Sequence, residues 1–196
     1  MTDFKIVKGS TFSKVLRWEA SPFIYLPITA ITKASPVVIT SAGHGIPDGW
    51  RVAVASAGGM RQLNAKQWPP RASDFHKCTV LSSSTIALND VNSADYTAYT
   101  SGGSIVHYTP VDLAGYTARM MIRSTPNAVG APLVSLVSPT DIVIDNTAKT
   151  ITITIAADVT DDFTWNAGTY DLELVSGSVV TRLLSGNVTT EDETTR

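Results

Sequence analysis

Cysteine is almost absent from this chain: among 196 residues only Cys78 occurs. No intrachain disulfide is possible, so the fold must hold through packing alone, and this usage suits synthesis in a reducing cytoplasm. Charge is scarce as well. Charged residues make up 16% of the chain, where about a quarter is usual. The 15 Lys and Arg against 17 Asp and Glu leave a formal net charge of -2. No basic stripe marks a nucleic-acid surface, and no Lys/Arg cluster marks an anionic membrane surface. No apolar run approaches the roughly 18 residues of a membrane span, and the first residues lack the apolar core of a signal peptide. The expectation is a soluble protein made in the cytosol, with neither nucleic acid nor membrane as partner.

What the chain does have is alternation. Hydrophobic residues make up 43%, enough for a core, and Thr, Ser and Asn supply the polarity that charge does not, which favours strands and turns. The plainest strand is residues 150–155, Thr-Ile-Thr-Ile-Thr-Ile, with Ile151, Ile153 and Ile155 on one face and the threonines on the other. Residues 141–144 form a second strand, joined to it as a hairpin through the turn-rich residues 145–149. Another hairpin runs from residues 168–175 through Ser176, Gly177 and Ser178 to residues 179–184. Residues 116–123 and 11–18 alternate in the same manner. Residues 156–163 hold the one short helical turn. The apolar-free stretch 189–196 reads as a frayed end, counted from 191 in the domain division below.

Between residues 31 and 105 the texture changes. This stretch carries most of the glycines and two of the three histidines, His44 and His76, with His107 just beyond. Short strands at 36–40, 51–54, 77–81 and 85–88 are each bounded by turn signals, the pattern of a compact small barrel. The expected organisation is all-β: an immunoglobulin-like antiparallel sandwich from residues 1–28 and 106–190, a small β-barrel inserted at 29–105, and a frayed tail at 191–196.

Two resemblances follow from particular residues. Residues 34–46 (Ala-Ser-Pro-Val-Val-Ile-Thr-Ser-Ala-Gly-His-Gly-Ile), Gly59-Met60, Leu63-Asn64-Ala65, residues 85–88 and Tyr99-Thr100-Ser101-Gly102-Gly103 resemble a repeat of phage tail proteins. That repeat is itself similar to the first catalytic cysteine half-domain of ubiquitin-activating enzymes; in phage proteins it is a small barrel and implies no ubiquitin chemistry. Residues 67–74 depart from the pattern as an added loop. The outer segments, through residues 8–12, 110–120 and 165–174, resemble the N-terminal domain of phage baseplate upper proteins. That resemblance implies an immunoglobulin-like sandwich that anchors receptor-binding parts to a tailed bacteriophage particle.

Candidate chemistry is thin. His44, His76 and Cys78 are the best metal-ligand set, yet they lack the short ligand pairs that a metal site brings from each end. Cys78 on an alternating strand reads as a small buried hydrophobe, not a nucleophile. Asp161-Asp162 and Glu191-Asp192-Glu193 lack the alternating oxygens and central glycine of a calcium loop. Gly58-Gly59 and Gly102-Gly103 read as turns needing positive φ. No phosphate-cradling loop, nucleophile elbow or zinc-protease helix occurs. No catalytic residue, metal or cofactor is therefore expected, and the chain is read as a non-enzyme.

Large residues on turns and loops stand out instead. Trp50 after Pro47-Asp48-Gly49, and Trp68 with Arg71 on the added loop, are read as exposed interface anchors, since Trp and Arg dominate binding hot spots. Folding of Trp68 back over its own barrel stays open. Trp18 and Trp165 are read as core. The function expected is structural: a virion component joining tail, baseplate or fiber parts, with other virion proteins as partners and a symmetric homo-oligomer as its state. Two alternatives stay open, a capsid decoration protein and a carbohydrate-binding module in which Trp50 or Trp68 stacks on a host glycan.

Overall fold

The computed structural model describes residues 2–194. Strand accounts for 48% of the described residues and helix for 6%, which makes the fold all-β. In chain order the strands are β1 (Phe4–Val7), β2 (Phe12–Leu16), β3 (Glu19–Pro27), β4 (Ala30–Ile31), β5 (Val37–Thr40), β6 (Arg51–Ala55), β7 (His76–Ser82) and β8 (Thr85–Leu88). They continue as β9 (Ser104–Pro110), β10 (Thr117–Arg123), β11 (Val134–Val137), β12 (Ile142–Asp145), β13 (Thr150–Ile155), β14 (Ala167–Ser176) and β15 (Val179–Glu191). A single helical turn, α1 (Ala157–Asp161), precedes β14.

Two compact units emerge. One runs from the N-terminus to Trp18 and resumes at Val111; the other is the continuous stretch Glu19–Pro110. The boundaries expected at 28/29 and 105/106 therefore move outward. The reason is pairing: β3 and β9 run antiparallel from Glu19↔Pro110 to Pro27↔Ser104, and both ends belong to the continuous unit. The Val111 N–H donates to the Trp18 carbonyl at 3.1 Å, so the two chain ends that the continuous unit interrupts lie side by side.

The discontinuous unit is β-sandwich-like. A five-stranded sheet in the order β1-β15-β14-β10-β11 and a three-stranded sheet β12-β13-β2 share one core. Alternation decides which residues enter it. Ile151, Ile153 and Ile155 of β13 are buried, as are Ala118, Met120 and Ile122 of β10 and Tyr170, Leu172 and Leu174 of β14. Each large apolar side chain so buried contributes about 1.5–3 kcal/mol. Trp18 and Trp165 pack half-buried against this core, Trp18 edge-on to Tyr116 at 5.7 Å and Trp165 against Phe163 at 4.8 Å.

The expected frayed end is corrected here. β15 continues to Glu191 and pairs in parallel with β1, Phe4↔Val188 through Val7↔Glu191. Val188 is fully buried, and Lys5–Glu191 and Lys8–Asp192 pair at 2.8 and 2.9 Å. The polar sequence 189–194 hides this because its strand partner lies 184 residues away; residues 195 and 196 of the expected tail lie outside the described residues.

The continuous unit is one run of seven strands, β3-β9-β6-β7-β8-β5-β4. Its two terminal strands, β3 and β4, are consecutive in the chain. Between them Ile28 N–H donates to Gly103 C=O and Thr29 N–H to Thr40 C=O, so one bent segment touches both β9 and β5. Val37, Ile39, Val52, Val54, Ile86, Leu88 and Ile105 fill its core together with Cys78 and Trp50.

Candidate interaction surface

The motif residues that looked chemical are structural pins. His44 is buried; its Nε2–H donates to the Ser82 carbonyl at 2.9 Å and its Nδ1 accepts the Ile46 N–H at 3.0 Å. An Nδ1 that accepts leaves the hydrogen on Nε2, so both ring nitrogens are used in holding the turn. Asn64 clamps its neighbour reciprocally, Oδ1 accepting from Ala57 N–H at 2.8 Å and Nδ2 donating to Ala57 C=O at 3.1 Å. Gly59 has φ +75°, and a Cβ there would lie 2.1 Å from the Ala98 carbonyl oxygen. Gly102 and Gly103 also have positive φ; Gly58, expected to share it, does not, and is needed for space, with the Ser101 carbonyl oxygen 2.7 Å from where its Cβ would stand.

His76 and Cys78 part company. His76 turns toward Asp90 at 2.9 Å, while Cys78 enters the core. Among the described residues no group of three or more His, Cys, Asp or Glu side chains converges as a metal set.

Trp50 is the clearest correction. Expected on the surface, it is fully buried in the core of the continuous unit, its Nε1–H donating to the Tyr108 carbonyl at 3.2 Å. The Pro47-Asp48-Gly49 turn causes this: Trp50 N–H closes on Pro47 C=O at 3.1 Å and the chain then enters β6 inward. A turn residue that begins a strand is as well placed to fill a core as to face solvent.

Trp68 is exposed at 60%, and its ring lies 5.9 Å from that of Tyr25, itself 52% exposed. The loop that carries it is braced at one residue. Buried Asp74 accepts the Arg71 N–H on Oδ2 at 2.9 Å and the Lys66 N–H on Oδ1 at 3.1 Å. These backbone donors, Arg71's first and Lys66's second, hold the Asp74 carboxyl below the ordinary carboxylate range. Arg71 lends its backbone to the brace and leaves its side chain exposed.

Beyond the brace, Phe75 stacks over Tyr108 at 5.7 Å and Phe23 at 6.2 Å, and the Arg51 guanidinium lies over both the Phe75 and Tyr108 rings. Arg51 is held by Glu19 through Nε and a second guanidinium nitrogen, which raises its pKa. Sequence reasoning singled out Trp68 and Arg71 and missed Tyr25, Phe23, Phe75 and Tyr108. The signal available was the aromatic spacing at 23 and 25, two apart and hence on one face of a strand.

A second concave surface, about 590 Å³, crosses β10, β14 and β15 on the side away from the core. Its charges largely satisfy one another, Arg119 with Glu173 at 2.7 Å and Arg182 with Asp171 at 3.6 Å. Exposed pairs of this kind are worth little and mark a solvated face. The sequence matches no protein-family model, and no curated protein is significantly similar to it.

Proposed function

We propose that the chain is a structural component of a tailed-bacteriophage virion that acts by docking, with the two sheets of the discontinuous unit forming an immunoglobulin-like sandwich and the seven-strand run forming a small barrel inserted into it. The barrel reading follows from β3 and β4 being one bent segment that meets both β9 and β5. The observation that carries the functional reading is Trp68. It sits on a loop absent from the tail-protein pattern, exposed, beside a second exposed aromatic, and anchored below by Asp74 and the Phe75 stack. A rigid β unit that presents large aromatics loses little entropy on association, which is what a particle joint needs. Docking would bury Trp68 and Tyr25 against a partner virion protein or a second copy in a symmetric ring. The reading involves no bond-breaking step and gives the motif residues His44, Asn64 and Gly59 purely architectural work.

The test is incorporation. Replacing Trp68 and Arg71 together with Ala should lower the amount of the chain in purified particles by tenfold or more, the size of a lost hot spot of about 2 kcal/mol. Folding, followed by circular dichroism and thermal unfolding, should stay as in the parent. Incorporation at the parental level would remove the Trp68 surface from the account.

A further inference from the structure

His107 lies on β9, 2% exposed, and by strand alternation shares the inward face of Ile105. Its Nδ1 lies 2.8 Å from the Tyr108 carbonyl oxygen. A carbonyl can only accept, so the hydrogen sits on Nδ1 and Nε2 is a bare acceptor. That Nε2 is buried and has no hydrogen-bond partner among the described residues. The same Tyr108 carbonyl also receives the Trp50 indole N–H. On the other face of the strand, the Tyr108 ring carries Phe75 and the Arg51 guanidinium, the support of the Trp68 loop. One peptide unit thus joins a buried, neutral imidazole to the base of the exposed loop.

We propose that His107 is an acid-sensitive pin: neutral, it holds the 107–108 segment of β9 in place, and a second ring proton, which meets no acceptor there, opens β9 and releases the stack beneath the Trp68 loop.

The groups facing it bear this out on balance. Burial is the largest influence and opposes the charged form; the Tyr108 carbonyl favours it; His44, from the turn before β6, opposes it; Glu19 at the start of β3 favours it. Glu19 is already committed to Arg51, the charged group of β6. Cys78 from β7 adds a thiol in the same core. Burial leads, so the folded His107 gives up its proton more readily than an unfolded one. Above about pH 6.5 both states are neutral and the pin is intact. As pH falls through that value the open state takes the proton first, and the closed state is disfavoured progressively down to the lower pKa of the folded form. The inference concerns the shape of this unit and stands or falls apart from any role in a virion.

Amide hydrogen exchange of the full chain, corrected for the intrinsic pH dependence of exchange, tests it at about pH 7.5 and about pH 5.5, on either side of the ordinary histidine value. The open fraction reported by amides of β9 and of Phe75 should rise about tenfold on acidification. Amides of β13 and β14, in the other unit, serve as the internal control and should rise less than twofold. His107→Phe should abolish the tenfold rise. Should that variant not fold, ring-nitrogen NMR of the parent decides: a hydrogen on Nδ1 and none on Nε2 at the higher pH, with the Tyr108 and Phe75 signals following the His107 titration. A parental open fraction unchanged with pH, a rise that persists in His107→Phe, a hydrogen on Nε2 at the higher pH, or Tyr108 and Phe75 signals indifferent to the His107 titration would each overturn it.

Discussion

Two tryptophans on the same unit have opposite work. Trp50 fills a core position with no exposure, while Trp68 stands in solvent. Trp50→Ala should therefore cost about 3–5 kcal/mol of stability, the range for truncating a large buried aromatic. Trp68→Ala should change stability by under about 1 kcal/mol, as a surface replacement does. Urea unfolding of both variants checks the contrast; equal losses would mean that Trp68 packs more heavily than its exposure indicates. Asp74 supplies a pH signature at the same scale. Its carboxyl has a lowered pKa, so its hold on Lys66 and Arg71 is complete above about pH 4 and is lost as pH falls through the folded value below that. Asp74→Asn should speed amide exchange at Lys66 and Arg71 near neutral pH and leave β13 unchanged. What the sequence could not reveal at this scale was the direction of each indole. Each stands beside prolines, Trp50 after Pro47-Asp48-Gly49 and Trp68 before Pro69-Pro70, and the closure of Trp50 on Pro47 leads that one inward.

At the scale of elements, local pattern was readable and remote pairing was not. β13, the β12–β13 hairpin, β10, β7 and β8 stand within a residue or two of their expected bounds because alternation is written into each segment alone. β1, β3, β9 and β11 went unread: β1 and β11 are four residues long, β3 is interrupted by Pro22, and β9 buries three consecutive residues, Ile105 to His107, without alternation. β1, β3 and β9 pair with partners far away in the chain. The end of β15 is the sharpest case. Thr189 and Thr190 look like tail, yet Thr190 is buried with its hydroxyl donating to the Trp165 carbonyl. Truncation after Asn187 removes Val188 and the whole of the β1 pairing. It should lower the melting temperature of the discontinuous unit by several degrees, about 4–8 °C for each kcal/mol in a domain of this size. Calorimetry that finds the truncated chain as stable as the parent would restore the frayed-tail reading.

For the whole molecule, a single cysteine leaves packing to hold the fold, and the two compact units divide at Glu19 and Pro110 where the change of texture had suggested 29 and 105. The ten-residue difference at the first boundary has a physical origin: β3 carries Pro22 and lacks strict alternation, and only its register with β9 assigns it to the continuous unit. Each unit buries its own core, and Trp18 and Val111 are joined by a backbone hydrogen bond. Replacing residues 19–110 with a short Gly-Ser connection should therefore leave the discontinuous unit folded, with the β13 and β14 amide signals of the parent. Loss of those signals would show that the unit depends on the stretch it surrounds. The function proposed above belongs to this scale as well, since docking needs a rigid support more than it needs any single reactive group.

If the chain is the virion component proposed, mass spectrometry of homogeneous particles from a tailed phage whose genome carries this sequence is the most direct measurement. The account predicts peptides of this sequence at a fixed copy number per particle, retained through density-gradient purification. Its absence from intact particles, while it is abundant in the infected-cell lysate, would contradict a structural role in the virion.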